Sequence, residues 1–257
     1  MKILAIGDIV GGIAIDYLEK NLSRFISENK VDFVIANGEN ASEIKGLSKR
    51  DAEALYSVGV DFITLGNHAF GKRDIYSFLD DNEHRIIRPA NFPASAPGSG
   101  YSIISVEGYK ILIINVLGTM FMNPINSPFE VIDVVLEREK GNYDFAILDI
   151  HAEATSEKLA IARYFDGRIA IMFGTHTHVQ TADECILPMG SAYITDIGMA
   201  GPENSILGTK VEAIIDRFIM QTPQYFTVAD GGVKVHGAIF DIDPNTSKIN
   251  SVKRVRF

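Results

Sequence analysis

The sequence predicts an α/β protein, a layered α/β/β/α sandwich of two mixed sheets, with residues 1–257 forming a single domain. Three observations lead there. Short apolar runs rich in β-branched residues alternate with longer amphipathic stretches through the first part of the chain, the pattern of a mainly parallel sheet covered by helices. The last third turns mostly to strands with a single helical stretch among them, which asks for a second sheet packed on the first. No linker divides the chain, and 257 residues are enough to bury a substantial core.

The elements follow in order. Residues 2–6 read as the first strand and 13–28 as a helix, with Ile15, Leu18, Leu22, Phe25 and Ile26 on one face. Residues 33–36 form the second run. Ser48 reads as the N-cap of a helix reaching Val58, because its hydroxyl can accept from an otherwise unpaired first-turn amide. A third run covers 62–65 and a helix 74–79. Residues 88–100 hold Pro89, Pro93 and Pro97 with Gly98 and Gly100, which predicts an ordered loop. Strands at 101–106 and 111–116 pair across Glu107-Gly108. A loop at 120–128, a helix at 129–138 and a buried strand at 145–148 come next. Thr155 or Ser156 can cap a helix running to Tyr164, and 169–173 is the following strand. The remainder reads as strands at 192–195, 225–228, 233–240 and 249–255, with a helix at 211–220.

A net charge of −9 argues against long nucleic acid, whose affinity normally comes from Lys and Arg neutralising phosphates. The one basic cluster, Lys253, Arg254 and Arg256, reads as a solvated strand face. Cys185 is the sole cysteine and has no intramolecular partner for a disulfide. The apolar run at 3–6 is neither a signal peptide nor a membrane span, so a cytoplasmic location with no membrane partner is expected. A homo-oligomer is admitted through the apolar loop residues Phe121, Met122 and Phe129.

The informative residues stand directly after the apolar runs. These are Gly7-Asp8, then Asn37-Gly38-Glu39-Asn40, Gly66-Asn67-His68, Asp149-Ile150-His151 and Gly174-Thr175-His176-Thr177-His178. In a parallel sheet such positions share the carboxyl edge, where open α/β proteins bind their ligands. Acids, amides and four of the six histidines meeting there would repel one another without a cation. Two divalent ions roughly 3.5–4 Å apart can clamp an in-line phosphoryl displacement. The mixed oxygen and nitrogen donors suit iron, manganese, zinc or cobalt better than calcium or magnesium.

With those motifs the sequence resembles the calcineurin-like metallophosphoesterases. It resembles the YmdB family of bacterial phosphodiesterases more closely, through Gly7-Asp8-Ile9-Val10-Gly11, Asn37-Gly38-Glu39-Asn40-Ala41, Arg88-Pro89-Ala90-Asn91-Phe92-Pro93, His151-Ala152-Glu153-Ala154-Thr155-Ser156-Glu157-Lys158, Gly174-Thr175-His176-Thr177-His178-Val179 and Asp196-Ile197-Gly198-Met199. The broader superfamily places a histidine two residues after the first Asp, where this chain has Val10. The resemblance implies that Glu39 bridges two divalent or mixed-valence ions, iron or manganese with zinc or cobalt as alternatives. One ion would be held by Asp8, Glu39, Asn40 and His178, the other by Glu39, Asn67, His151 and His176. It implies that His68 is the general acid beside the leaving oxygen. The implied reaction is hydrolysis of 2',3'-cyclic nucleotides such as 2',3'-cAMP to 3'-nucleotides, with a metal-bridging hydroxide as nucleophile.

Other readings stand beside these. The same metals would serve a phosphomonoesterase or a protein phosphatase, and a regulator that senses nucleotide or metal would also fit. His176 and His178 could be satisfied strand histidines, and His151 a buried structural one. His84 and His236 read as ordinary surface or core residues. Glu153 is either an acceptor orienting a ligand histidine or a turn charge. Thr175 and Thr177 could meet a phosphate or pack the strand end, Arg88 could pair with a surface carboxylate, and 120–122 could form a lid over a base or pack on the core.

Overall fold

The computed structural model describes residues 1–81 and 85–257; His84 therefore lies outside the described residues. The first apolar run forms β1 (Lys2–Ile6), and Gly7 carries the chain into the short β2 (Asp8–Ile9) and then α1 (Gly11–Asn29). A side chain at Gly7 would overlap the Gly198 carbonyl, so the close crossing admits only glycine. Next come β3 (Phe33–Asn37), α2 (Lys49–Ser57), β4 (Phe62–Thr64), α3 (Ile75–Leu79) and β5 (Ile86–Ile87). Ser48 caps α2 as expected, its hydroxyl accepting from the Asp51 amide at 3.2 Å.

The middle of the chain gives β6 (Tyr101–Val106), β7 (Tyr109–Leu117), α4 (Pro128–Arg138), β8 (Phe145–His151), α5 (Thr155–Tyr164) and β9 (Ile171–Thr175). Glu107 and Gly108, at φ 49° and 89°, make the tight turn between β6 and β7. The rest is β10 (Cys185–Ile186), β11 (Ala192–Ile194), β12 (Met199–Pro202), α6 (Val211–Met220), β13 (Val233–Asp243) and β14 (Lys248–Arg256).

Among the described residues the strands form two mixed sheets. The eight-stranded one runs β2-β12-β13-β1-β3-β4-β5, with β14 also paired to β13; the six-stranded one runs β10-β11-β9-β8-β7-β6. β1, β3, β4 and β5 are mutually parallel, and so are β7, β8, β9 and β11. The sheets pack face to face over Ile3, Phe33, Phe62, Ile113, Phe145 and Phe173 among others. Phe173 of one sheet meets Phe240 of the other with ring centroids 6.1 Å apart. Each such side chain contributes roughly 1.5–3 kcal/mol by leaving water. α1, α2 and α3 cover the outer face of the first sheet, α4 and α5 that of the second. This is the predicted four-layer sandwich.

Several local expectations are corrected. Residues 225–228 are not a strand: their aromatic and β-branched residues have strand propensity, but only Val228 makes a bridge, to Thr209, and Tyr225 is exposed. Thr155 is the first residue of α5 rather than a side-chain cap. Arg88 does not seek a surface carboxylate. It is buried and donates to the Pro89 carbonyl at 2.8 Å and to that of Pro97 at 3.4 Å, tying the proline loop to itself. Of the apolar loop residues, Phe121 is 84% exposed, but Phe129 packs edge-on against Tyr164 at 5.4 Å. The larger exposed apolar surface is on α6, which buries none of its residues and leaves Phe218 and Ile219 exposed at 78% and 75%. No helix among the described residues is long and apolar enough to cross a membrane.

Candidate metal centre

The parallel strands deliver the predicted residues to one place. Asp8 follows β1, Glu39 and Asn40 follow β3, Asn67 and His68 follow β4, His151 is the last residue of β8, and His176 and His178 follow β9. His151 Nε2 is the hub, 3.0 Å from Glu39 Oε1, 3.0 Å from Asn67 Oδ1 and 3.1 Å from His176 Nδ1. Beside it, His178 Nε2 lies 3.3 Å from the Asn40 amide and 3.6 Å from Asp8 Oδ1, and the Asn40 amide is 3.4 Å from Glu39 Oε1. Glu39 thus touches both halves. Asp8, Glu39, Asn40 and His151 are buried, and His176 is half-buried.

The far side of each ring shows what the near side offers. Thr175 has one hydroxyl proton and donates it to Asp149 Oδ1 at 2.7 Å, so it accepts from His151 Nδ1 at 2.9 Å. His178 Nδ1 donates to the Leu207 carbonyl at 3.0 Å, and His176 Nε2 reaches Glu153 Oε2 at 3.2 Å. With these protons committed outward, all three imidazoles turn their second nitrogen toward Asp8, Glu39 and Asn67. Lone pairs and carboxylates facing one another repel unless a cation lies between them. Outward-tied histidines are the usual companions of a metal ion. The Asp8 Oδ1 atom is buried without a hydrogen-bond partner among the described residues, and Glu39, His151 and His176 present donor atoms within 4.8 Å of one another. The Asn40 amide reaches the centre with its nitrogen, but a half-turn of the amide presents its oxygen instead. The residues therefore fit a metal ion.

Charges agree. Burial alone would raise the Asp8 carboxyl, but the His178 and His151 imidazoles hold it well below the usual range. Glu39 is likewise lowered, burial opposing and His151 prevailing. Burial disfavours the charged His151, yet Glu39 and Asp8 raise it to about 9. A proton on His151 supplies the cation the acids demand, and a metal ion would displace it. His176 is pushed down to about 4 by burial and then by His151, so it is neutral and ready to ligate.

The backbone of the last motif is strained and tied down. His176 and His178 have φ of 98° and 63°, a left-handed region that costs a non-glycine residue about 1–3 kcal/mol. The His176 amide donates to Asp8 Oδ2 at 3.0 Å. Fully buried Lys158 donates to the Thr175 carbonyl at 2.8 Å and to Asp196 Oδ2 at 2.7 Å. Asp196 accepts in turn from the amide and hydroxyl of Thr177. Thr175 and Thr177 thus hold the turn in place, as the packing reading expects. Lys158→Met leaves Asp196 buried without its cation, and a loss of about 3–5 kcal/mol is expected, checked by urea unfolding.

Sequence reasoning missed the supporting roles of Asp149, Thr64, Lys158 and Asn37. Asp149 accepts from Thr64 at 2.6 Å and from Thr175, and Asn37 Nδ2 lies 3.4 Å from His151 Nδ1. The one available signal was Asp149 standing two residues before His151 on the same strand face. Gly66 is required by close approach, since a Cβ there would overlap His151 and Glu39. Val10, in the position of the superfamily's histidine, is buried and packs under Gly201 and Gly208. His68 is half-buried beside the centre; its amide donates to Glu39 Oε2 at 2.7 Å, and its ring lies 3.3 Å from the Asn67 amide nitrogen.

Two face-to-face sheets between helices, with carboxylates, amides and imidazoles gathered at the carboxyl edges, define the class: a calcineurin-like metallophosphoesterase fold. Residues 4–255 match the family described as YmdB-like protein, and the chain belongs to that family. It is 43% identical over 255 residues to the 2',3'-cyclic-nucleotide 2'-phosphodiesterase of Bacillus subtilis (strain 168), a match covering 99% of this chain and 96% of that protein. A hypothetical protein from Thermus thermophilus superposes with a TM-score of 0.94 at 38% identity, covering 100% of this chain and 99% of the other. A novel phosphatase from Mycoplasma pneumoniae also gives a TM-score of 0.94, at 36% identity, covering 100% of this chain and 93% of that one.

Proposed function

We propose that this chain is a cytoplasmic, metal-dependent phosphodiesterase that opens 2',3'-cyclic nucleotides to 3'-nucleotides, with residues 1–257 acting as one domain. The observation that carries the metal requirement is the ring of outward-tied histidines whose inner nitrogens face Asp8, Glu39 and Asn67. The substrate rests on the Bacillus subtilis relative, which bears that activity in its name.

Asp8, Glu39, Asn40 and His178 would hold one ion and Glu39, Asn67, His151 and His176 the other, iron or manganese with zinc or cobalt as alternatives. Two bound ions supply charge neutralisation of the phosphoryl oxygens and an acidified water. The chain itself does the rest. Glu39 keeps the two halves in register, and the Asp149–Thr175 pair fixes the His151 tautomer. His68 donates a proton to the 2'-oxygen as the P–O2' bond breaks and the oxygen of water bonds to phosphorus. Burial lowers the His68 imidazole from its ordinary value, with Glu39 opposing, so its protonated form surrenders the proton more readily.

Purified protein tested on 2',3'-cAMP, 3',5'-cAMP and p-nitrophenyl phosphate is expected to prefer the first and to yield 3'-AMP. Preference for the aryl monoester would favour the phosphomonoesterase reading, which the Mycoplasma pneumoniae phosphatase supports.

A further inference from the structure

Beside the centre lies a cavity of about 600 Å³ that the reaction as described does not use, a volume within the range of small-molecule pockets. Asn67, whose carbonyl oxygen faces His151, lines it, so the metal centre and the cavity share a wall. Its other walls are mainly apolar: Phe92 and Pro93 from the proline loop, and Met122, Pro124 and Ile125 from the loop after β7. The amide groups of Asn123 and Asn126 interrupt them.

These walls are braced. Glu157 accepts from the amide and hydroxyl of Thr119 at 2.8 and 2.7 Å and from the Met120 amide at 3.1 Å, fixing the start of the second loop. Buried Asn91 fixes its end, donating to the carbonyls of Leu117 and Asn126 at 2.8 and 3.0 Å, while the Asn126 amide donates back to the Asn91 carbonyl at 3.2 Å. A mainly apolar cavity with a few amide groups, beside the candidate metal centre, suits a flat heterocycle attached to a ribose phosphate.

We propose that this cavity seats the nucleobase of the substrate. The proposal rests on the cyclic-nucleotide reading and supplies what the centre alone lacks, a means of favouring a nucleotide over a bare phosphodiester. Phe92, Pro93, Met122 and Ile125 enclose the ring, and Asn123 and Asn126 face its polar edge.

The test combines binding with selectivity. Adenosine, which carries no phosphate, is titrated calorimetrically into the purified, metal-loaded protein, and kcat/KM for 2',3'-cAMP is divided by that for ribose 2',3'-cyclic phosphate. Ile125→Trp fills the slot and is expected to weaken adenosine binding and to lower the ratio by about tenfold or more. Met122→Ala, on a half-buried loop position, is expected to move both in the same direction by about threefold, which guards against a fold defect in the first variant. Wild-type protein that does not bind adenosine, or a ratio unmoved in both variants, would overturn the proposal. If neither cyclic phosphate is hydrolysed, the cyclic-nucleotide reading fails, and adenosine binding abolished by Ile125→Trp would still establish the nucleobase site.

Discussion

Glu39→Gln is expected to lower turnover by at least about a thousandfold, roughly 4 kcal/mol, and to reduce the metal bound per chain. The magnitude follows from the position of this carboxylate. One oxygen contacts the His151 and Asn40 sides of the centre, and the other accepts the His68 amide at 2.7 Å. Glutamine keeps the volume but removes the charge that both halves share, and it brings an amide toward imidazole and amide groups already crowded there. Steady-state kinetics beside elemental analysis of the same sample checks both effects. The variant also separates catalysis from nucleotide sensing: a protein acting as a nucleotide sensor would still complement gene loss in cells after losing hydrolysis.

His68→Ala produces a different signature. The imidazole is not among the proposed ligands, so metal content should match that of the wild type while turnover falls about a hundredfold to ten-thousandfold. The backbone amide that donates to Glu39 survives the substitution, which leaves the carboxylate where it is. Loss is also expected to be smaller with a substrate whose leaving group needs no proton, such as a p-nitrophenyl ester. Equal losses on both substrates, or none on either, would remove His68 from the proton-transfer step.

The centre was legible because its residues stand at the ends of apolar runs long enough to read as strands. Asp8, Glu39, Asn67, His151 and His176 each follow or end a parallel strand, and parallel strands share one edge. The layers were legible for the same reason, since periodicity separates helices from strands. β2, β5 and β10, two residues each, were too short to show a period, and β2 and β5 pair with neighbours distant in sequence.

What supports the centre was hidden. Lys158 reads as an ordinary helical charge, yet the structure buries it against Asp196 and the Thr175 carbonyl. The Asp149–Thr175–His151 relay depends on the register of β8 against β9, which pairs His151 with Thr175. A sequence announces its apolar periods; it does not announce which residues of neighbouring strands become adjacent.

Anomalous X-ray diffraction from crystals of the protein purified with its native metals is the decisive measurement. Two peaks per chain are predicted, both in contact with Glu39, one bounded by Asp8, Asn40 and His178 and the other by Asn67, His151 and His176. A single peak, or metal bound away from Glu39, would contradict a binuclear centre.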